Sequence, residues 1–117
     1  MESKASRTLV KSAPELWELA DDLARMEAWT SGLVLAEQPI PVEVTERDPG
    51  RLIAWRSRAN GGDRHARVTI DLAEKGFGTS VSITAFHSGP DPGAADAALE
   101  RLLDELGSPE RRPFARG

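Results

Sequence analysis

Residues 65–72 and 79–87 alternate apolar and polar side chains on either side of a glycine-containing turn, and few folds accept such a pair. In HARVTIDL, Ala66, Val68, Ile70 and Leu72 fall on one side, and His65, Arg67, Thr69 and Asp71 on the other. In TSVSITAFH, Val81, Ile83, Ala85 and His87 share one face, and Ser80, Ser82, Thr84 and Phe86 the other. Successive side chains of a strand point to opposite faces, so each run reads as a strand with one face to bury. Glu74-Lys75-Gly76-Phe77-Gly78 turns the chain between them. A sheet with one apolar face needs a cover. The next segment supplies it. Asp91 caps and Pro92 opens a helix running to Leu106, with Ala95, Leu99, Leu102, Leu103 and Leu106 on its apolar face. Gly107 and Pro109 stop that helix.

The rest of the chain adds strands and a helix pair. Residues 6–11 read as a short strand. Ser12 then starts a helix: Glu15 stands three residues on, as in a capping box, and Pro14 sits in the first turn. Its stripe is Leu16, Leu19, Ala20 and Leu23, with Trp17 at the edge. Glu15 suits the positive end of the helix, whereas Asp21 and Asp22 lie too late for that benefit. A second helical turn covers Arg25–Trp29 and ends at Thr30-Ser31-Gly32. Strands are predicted at 33–37, 41–47 and 51–58, with turns at Asp48-Pro49-Gly50 and Asn60-Gly61-Gly62-Asp63. The order predicts an α+β domain, a curved antiparallel sheet of six strands gripping a C-terminal helix, with a short helix pair after the first strand. The domain is placed at 6–107, with flexible termini at 1–5 and 108–117.

Composition narrows the function. A chain of 117 residues with 39% apolar side chains builds one core. Charged residues at 29% and a mean hydropathy of −0.40 mark a soluble chain. Fifteen Lys and Arg against 19 Asp and Glu leave a net charge of −4. That argues against nucleic acid and anionic membranes, because phosphate binding needs a basic face. The absence of cysteine excludes disulfides, thiolate metal sites and cysteine nucleophiles. No apolar run approaches the roughly 20 residues of a membrane helix, so no membrane insertion is expected. MESKASRTLV is polar, without an apolar signal-peptide segment, and the expected compartment is the cytoplasm.

Several pieces in order resemble a known superfamily. They are Ala13-Pro14 with Trp17 in the first helix, Trp29 closing the helix pair, Pro49-Gly50-Arg51-Leu52 with Trp55, Gly78-Thr79, and the final amphipathic helix. Together they resemble the START-like, birch-pollen-allergen superfamily, also named SRPBCC or polyketide cyclase/dehydrase. The resemblance spans residues 6–106 and rests on the order and spacing of all the pieces. It implies a helix-grip, a strongly bent antiparallel sheet wrapped round a C-terminal helix with a cavity between. Members bind sterols, lipids, polyketides, hormones or other apolar molecules. A few are enzymes, and others act on partner proteins. Catalytic residues are not shared across the superfamily, so the resemblance carries over a fold and a cavity position but no catalytic residue. This chain departs from the pattern in length: 12 residues separate Trp29 from Val42, where one cavity wall is normally built.

Within that frame Trp55, Val81, Ile83, Leu99 and Leu103 are the candidate apolar contacts for a ligand, and His87 is the candidate polar anchor. Trp17 and Trp29 read as core fillers; Trp55 reads either as core or as pocket wall. Arg56 and Arg58 are exposed if Ile53 and Trp55 point inward, the preferred parity; with Leu52 and Ala54 inward, Arg56 would face the cavity and need an anion. His65 and His87 have no third ligand motif, so no metal and no cofactor are expected. The leading function is binding of a small apolar or amphipathic molecule between sheet and C-terminal helix. The alternatives are an interaction module with a collapsed cavity, docking a protein partner or a second copy, and a polyketide cyclase or dehydratase with His87 as acid and base.

Overall fold

The two alternating runs pair with each other and form the centre of the sheet. The computed structural model describes residues 2–34, 40–58, 65–76, 78–88 and 92–107. Along the chain come β1 (Glu2–Leu9), α1 (Ala13–Ala20), α2 (Leu23–Leu33), β2 (Val42–Asp48), β3 (Leu52–Ser57), β4 (Ala66–Lys75), β5 (Gly78–His87) and α3 (Pro92–Gly107). The described strands make one five-stranded sheet in the order β1-β5-β4-β3-β2, antiparallel throughout. Pairing in the central hairpin runs from Ala66 opposite His87 to Lys75 opposite Gly78. Gly76, at φ 60°, makes the reversal that an L side chain would resist.

The inward face is the expected one. Val68, Ile70, Leu72, Val81, Ile83 and Ala85 are all buried. Ile53 and Trp55 point inward too, while Arg56 and Arg58 are exposed. The cover is α3, whose Leu99, Leu102, Leu103 and Leu106 are buried and which lies against β1 and α2. Each such side chain stabilises by about 1.5–3 kcal/mol when fully buried.

Helix starts follow local chemistry. The Ser12 hydroxyl accepts from the Glu15 N–H at 3.3 Å, and the Glu15 carboxylate accepts from the Ser12 N–H at 3.1 Å. Asp22 caps α2, accepting from the Ala24 and Arg25 N–H groups at 3.0 and 3.3 Å. It is therefore a cap and not an acid stranded late in the first helix. Leu23, expected in the apolar stripe of α1, is instead the first residue of α2 and is exposed.

Other expectations are corrected. The sheet has five described strands, not six. The strand expected at 33–37 begins on Leu33, which ends α2, and Val34, its C-cap; 35–39 lie outside the described residues. The helix runs through Thr30-Ser31-Gly32 because Met26, Trp29, Thr30 and Leu33 fall on one buried face. Gly32 meets α3 there, with Ala98 Cβ 3.8 Å from where its own Cβ would stand. Residues 2–5, expected as a loose terminus, are strand: Glu2 to Ala5 pair with Phe86 to Ile83, so the domain starts earlier than residue 6. The expected Asn60–Asp63 turn, the Asp91 cap and the 108–117 tail lie outside the described residues. Among the described residues no helix is long and apolar enough to cross a membrane.

The interior is graded along β1, β4, β5 and α3. Near His87 these elements contribute Ser3, Ala5, Ala66, Ala85, Ala95 and Ala98. Towards Gly78 they contribute Leu9, Leu72, Val81, Leu103 and Leu106. The direction of α3 follows from Gly107, which abuts the Leu9 side chain.

Candidate functional site

Strand parity delivers His87 to the interior at the small-residue end. It is the last residue of β5, opposite Ala66, and only 2% exposed. Its Nε2 lies 3.0 Å from the Ser3 hydroxyl on β1. Its Nδ1 is buried and has no hydrogen-bond partner among the described residues. Burial holds the imidazole below its ordinary value, while the carboxylate of Asp96 on α3 pulls the other way. The ring is thus a neutral group with one committed and one uncommitted nitrogen.

The other candidates are all in the core. Trp55 and Leu99 are fully buried, Val81 and Leu103 likewise, and Ile83 nearly so. Together they belong to one apolar cluster formed by the sheet and the three helices. Trp55 has a further task. Its indole N–H donates to the Thr30 hydroxyl at 2.8 Å, which donates to the Met26 carbonyl at 2.7 Å. Trp29 lies on it with ring centroids 6.0 Å apart, and donates its own N–H to Glu105 at 3.2 Å. The polar atom of Trp55 therefore ties β3 to α2, leaving only its ring faces for contact.

Sequence reasoning missed Ser3 and Thr30, the two hydroxyls that bond His87 Nε2 and the Trp55 indole N–H. His65 lines a surface cleft that His87 also borders. It is exposed, and its backbone N–H is bonded by the Ser88 hydroxyl at 2.9 Å. Among the described residues no group of three or more His, Cys, Asp or Glu is placed to hold a metal ion.

No family model and no curated protein sequence matches the chain. Solved structures do. Protein MLL2253 of Mesorhizobium loti is 14% identical with a TM-score of 0.68, the match covering 92% of this chain and 94% of that one. The Aha1 dimer of Colwellia psychrerythraea is 12% identical with a TM-score of 0.63, covering 92% and 96%. DynU16, a protein of the dynemicin biosynthetic locus, is 15% identical with a TM-score of 0.65, covering 91% of this chain and 45% of DynU16. At these identities the likeness shows the fold alone: an α+β arrangement with the C-terminal helix laid on an antiparallel sheet.

Proposed function

We propose that the chain is a shortened START-like protein that binds a small amphipathic molecule. That molecule is apolar over most of its surface and carries one hydrogen-bonding group. The site is the His87 end of the interior, between the sheet and α3. The observation that carries the reading is the His87 ring, buried at 2% exposure with Nδ1 unpartnered. A buried polar atom left unpaired costs about 1–3 kcal/mol, and native interiors hold few of them. A ligand group would relieve that cost. If Nε2–H donates to Ser3, Nδ1 accepts from a ligand hydroxyl. If Ser3 donates to Nε2, Nδ1–H donates to a ligand carbonyl. The alanines at this end leave the least side-chain volume in the way, and Leu99 lies on the helix beside them. DynU16, of the dynemicin biosynthetic locus, shares the fold over 45% of its length and supports the reading by analogy.

The test is a titration with N-phenyl-1-naphthylamine, a neutral fluorescent probe, alongside native mass spectrometry of the purified protein. The expected result is saturable fluorescence that Leu99→Trp abolishes while the fold persists. A dark probe together with no retained small molecule overturns the reading in favour of an interaction module with a filled interior.

A further inference from the structure

The outward face of the sheet has a feature that the interior site does not use. One register row crosses all five strands: Glu2, Phe86, Arg67, Arg56 and Glu43. Arg56 and Arg67 stand directly opposite each other on β3 and β4, a placement that destabilises like charges. Arg56 is neutralised, its Nε donating to Glu43 at 2.9 Å. Arg67 makes no ion pair among the described residues. Opposite Arg67 on β5 stands Phe86, a ring left 49% exposed. Arg56, His65, Arg67 and Phe86 line a cleft of about 340 Å³ at the ends of β3, β4 and β5, and Ala66 and His87 also border it. All of this positive charge gathers on a chain whose net charge is −4. Opposed arginines and a wet aromatic each run against stability, and sequences break such local rules chiefly at functional sites.

We propose that this cleft is a second binding site, for a small aromatic carboxylate. The carboxylate takes the fork of the Arg67 guanidinium in two parallel hydrogen bonds. The ring lies against Phe86, where an offset or edge-on aromatic contact adds to the apolar area buried. Arg56, already held by Glu43, contributes charge while its fork is shared. A bare inorganic anion would leave Phe86 wet, and a polyanion would find a single unneutralised guanidinium. The Arg67 and Phe86 side chains that hold the ligand alternate away from Val68 and Ala85, so the two sites use different contacts although this cleft also reaches His87.

The experiment is a titration of 15N-labelled protein with 1-naphthoate at low salt, followed by two-dimensional NMR, with 1-naphthalenemethanol as the neutral control. Saturable shifts at Arg56, Arg67 and Phe86 are expected with naphthoate and not with the alcohol. Arg67→Gln should weaken binding at least tenfold, and Phe86→Ala severalfold. Both positions lie on the outward face, so both variants should stay folded, Arg67→Gln melting no lower than the parent, and both should still bind N-phenyl-1-naphthylamine inside. Shifts centred on Ile83 and Leu99, equal binding of the alcohol, affinity unchanged by Arg67→Gln, or no saturable shift would each overturn the proposal.

Discussion

The two ends of β5 are equally buried and differently finished. At one end, a Cβ added to Gly78 would stand 2.0 Å from the Leu9 carbonyl oxygen, a gap that only a hydrogen fits. The next residue, Thr79, is fully buried and donates its hydroxyl to the Lys11 carbonyl at 2.8 Å. At the other end His87 is buried as deeply, but one ring nitrogen has a partner and the other has none. The side chains around each end follow suit: leucines near Gly78, alanines near His87. One end is committed to holding the sheet, and the other retains unused bonding capacity. The proposed interior site rests on that asymmetry more than on the size of any surface cleft.

The contrast can be attacked from its rigid side first. Gly78→Ala forces β1 and β5 apart and should cost about 4 kcal/mol, at the upper end for single substitutions. A urea midpoint nearly unchanged would show that the Gly78 end is as slack as the other. Ile70→Ala and Ile83→Ala, at the middle of the inward face, should each cost about 2–5 kcal/mol. Next comes a paired test on α3. Leu103→Trp overpacks the leucine end and should cost about 1–3 kcal/mol. Leu99→Trp, one turn nearer the alanines, should cost distinctly less in the same melt. Equal losses would mean that the interior is uniformly filled. Ser12→Ala removes the cap of α1 at the Gly78 end and should cost about 1 kcal/mol by thermal melt.

How much of this is legible in the sequence depends on whether a residue's state is set locally. The β4–β5 hairpin and α3 carry one periodicity each, so their faces, and the inward aspect of Val81, Ile83 and His87, read directly from the chain. Trp55 over Arg56 is decided by size, since the largest apolar group is the one to bury. The start of β1 has no such signal. Glu2 to Ala5 are polar or small, and they become strand only by pairing with the end of β5; Ser3 bonds His87 across a separation of 84 residues. That contact decides which imidazole nitrogen is left over, so the hydrogen bonding of His87 was out of reach although its inward aspect was not. Helix α2 is the other case. Thr, Ser and Gly in succession have weak helix propensity and read as a stop. Thr30, however, back-bonds to Met26 and receives Trp55, and Gly32 lies where α2 meets Ala98 of α3. Tertiary contacts outweigh propensities that amount to less than about 1 kcal/mol per residue.

The smallest effect is the response of the two ends to acid. Burial holds the His87 imidazole below its ordinary 6.5, with Asp96 opposing. As pH falls, the unfolded chain takes up this proton before the folded one does. The folded state therefore keeps its full advantage above about pH 6.5 and loses it progressively below, until the lowered pKa is passed. At the Gly78 end, the backbone N–H and hydroxyl of Ser12 hold the Glu15 carboxyl below its ordinary 4.5. The sign is the same and the window lower: this contribution is present above about pH 4.5 and lost beneath it. Urea midpoints followed downward in pH should fall first through the His87 window and then through that of Glu15. His87→Leu should remove the first fall and leave the second, because among the described residues His87 is the histidine whose pKa is held down by burial. Glu15→Gln should lessen the second and leave the first. A wild-type midpoint that stays flat between about pH 7 and 5 would mean that His87 accepts its proton without penalty. Water or a counter-charge would then already reach Nδ1, and the uncommitted nitrogen on which the interior site depends would not be uncommitted.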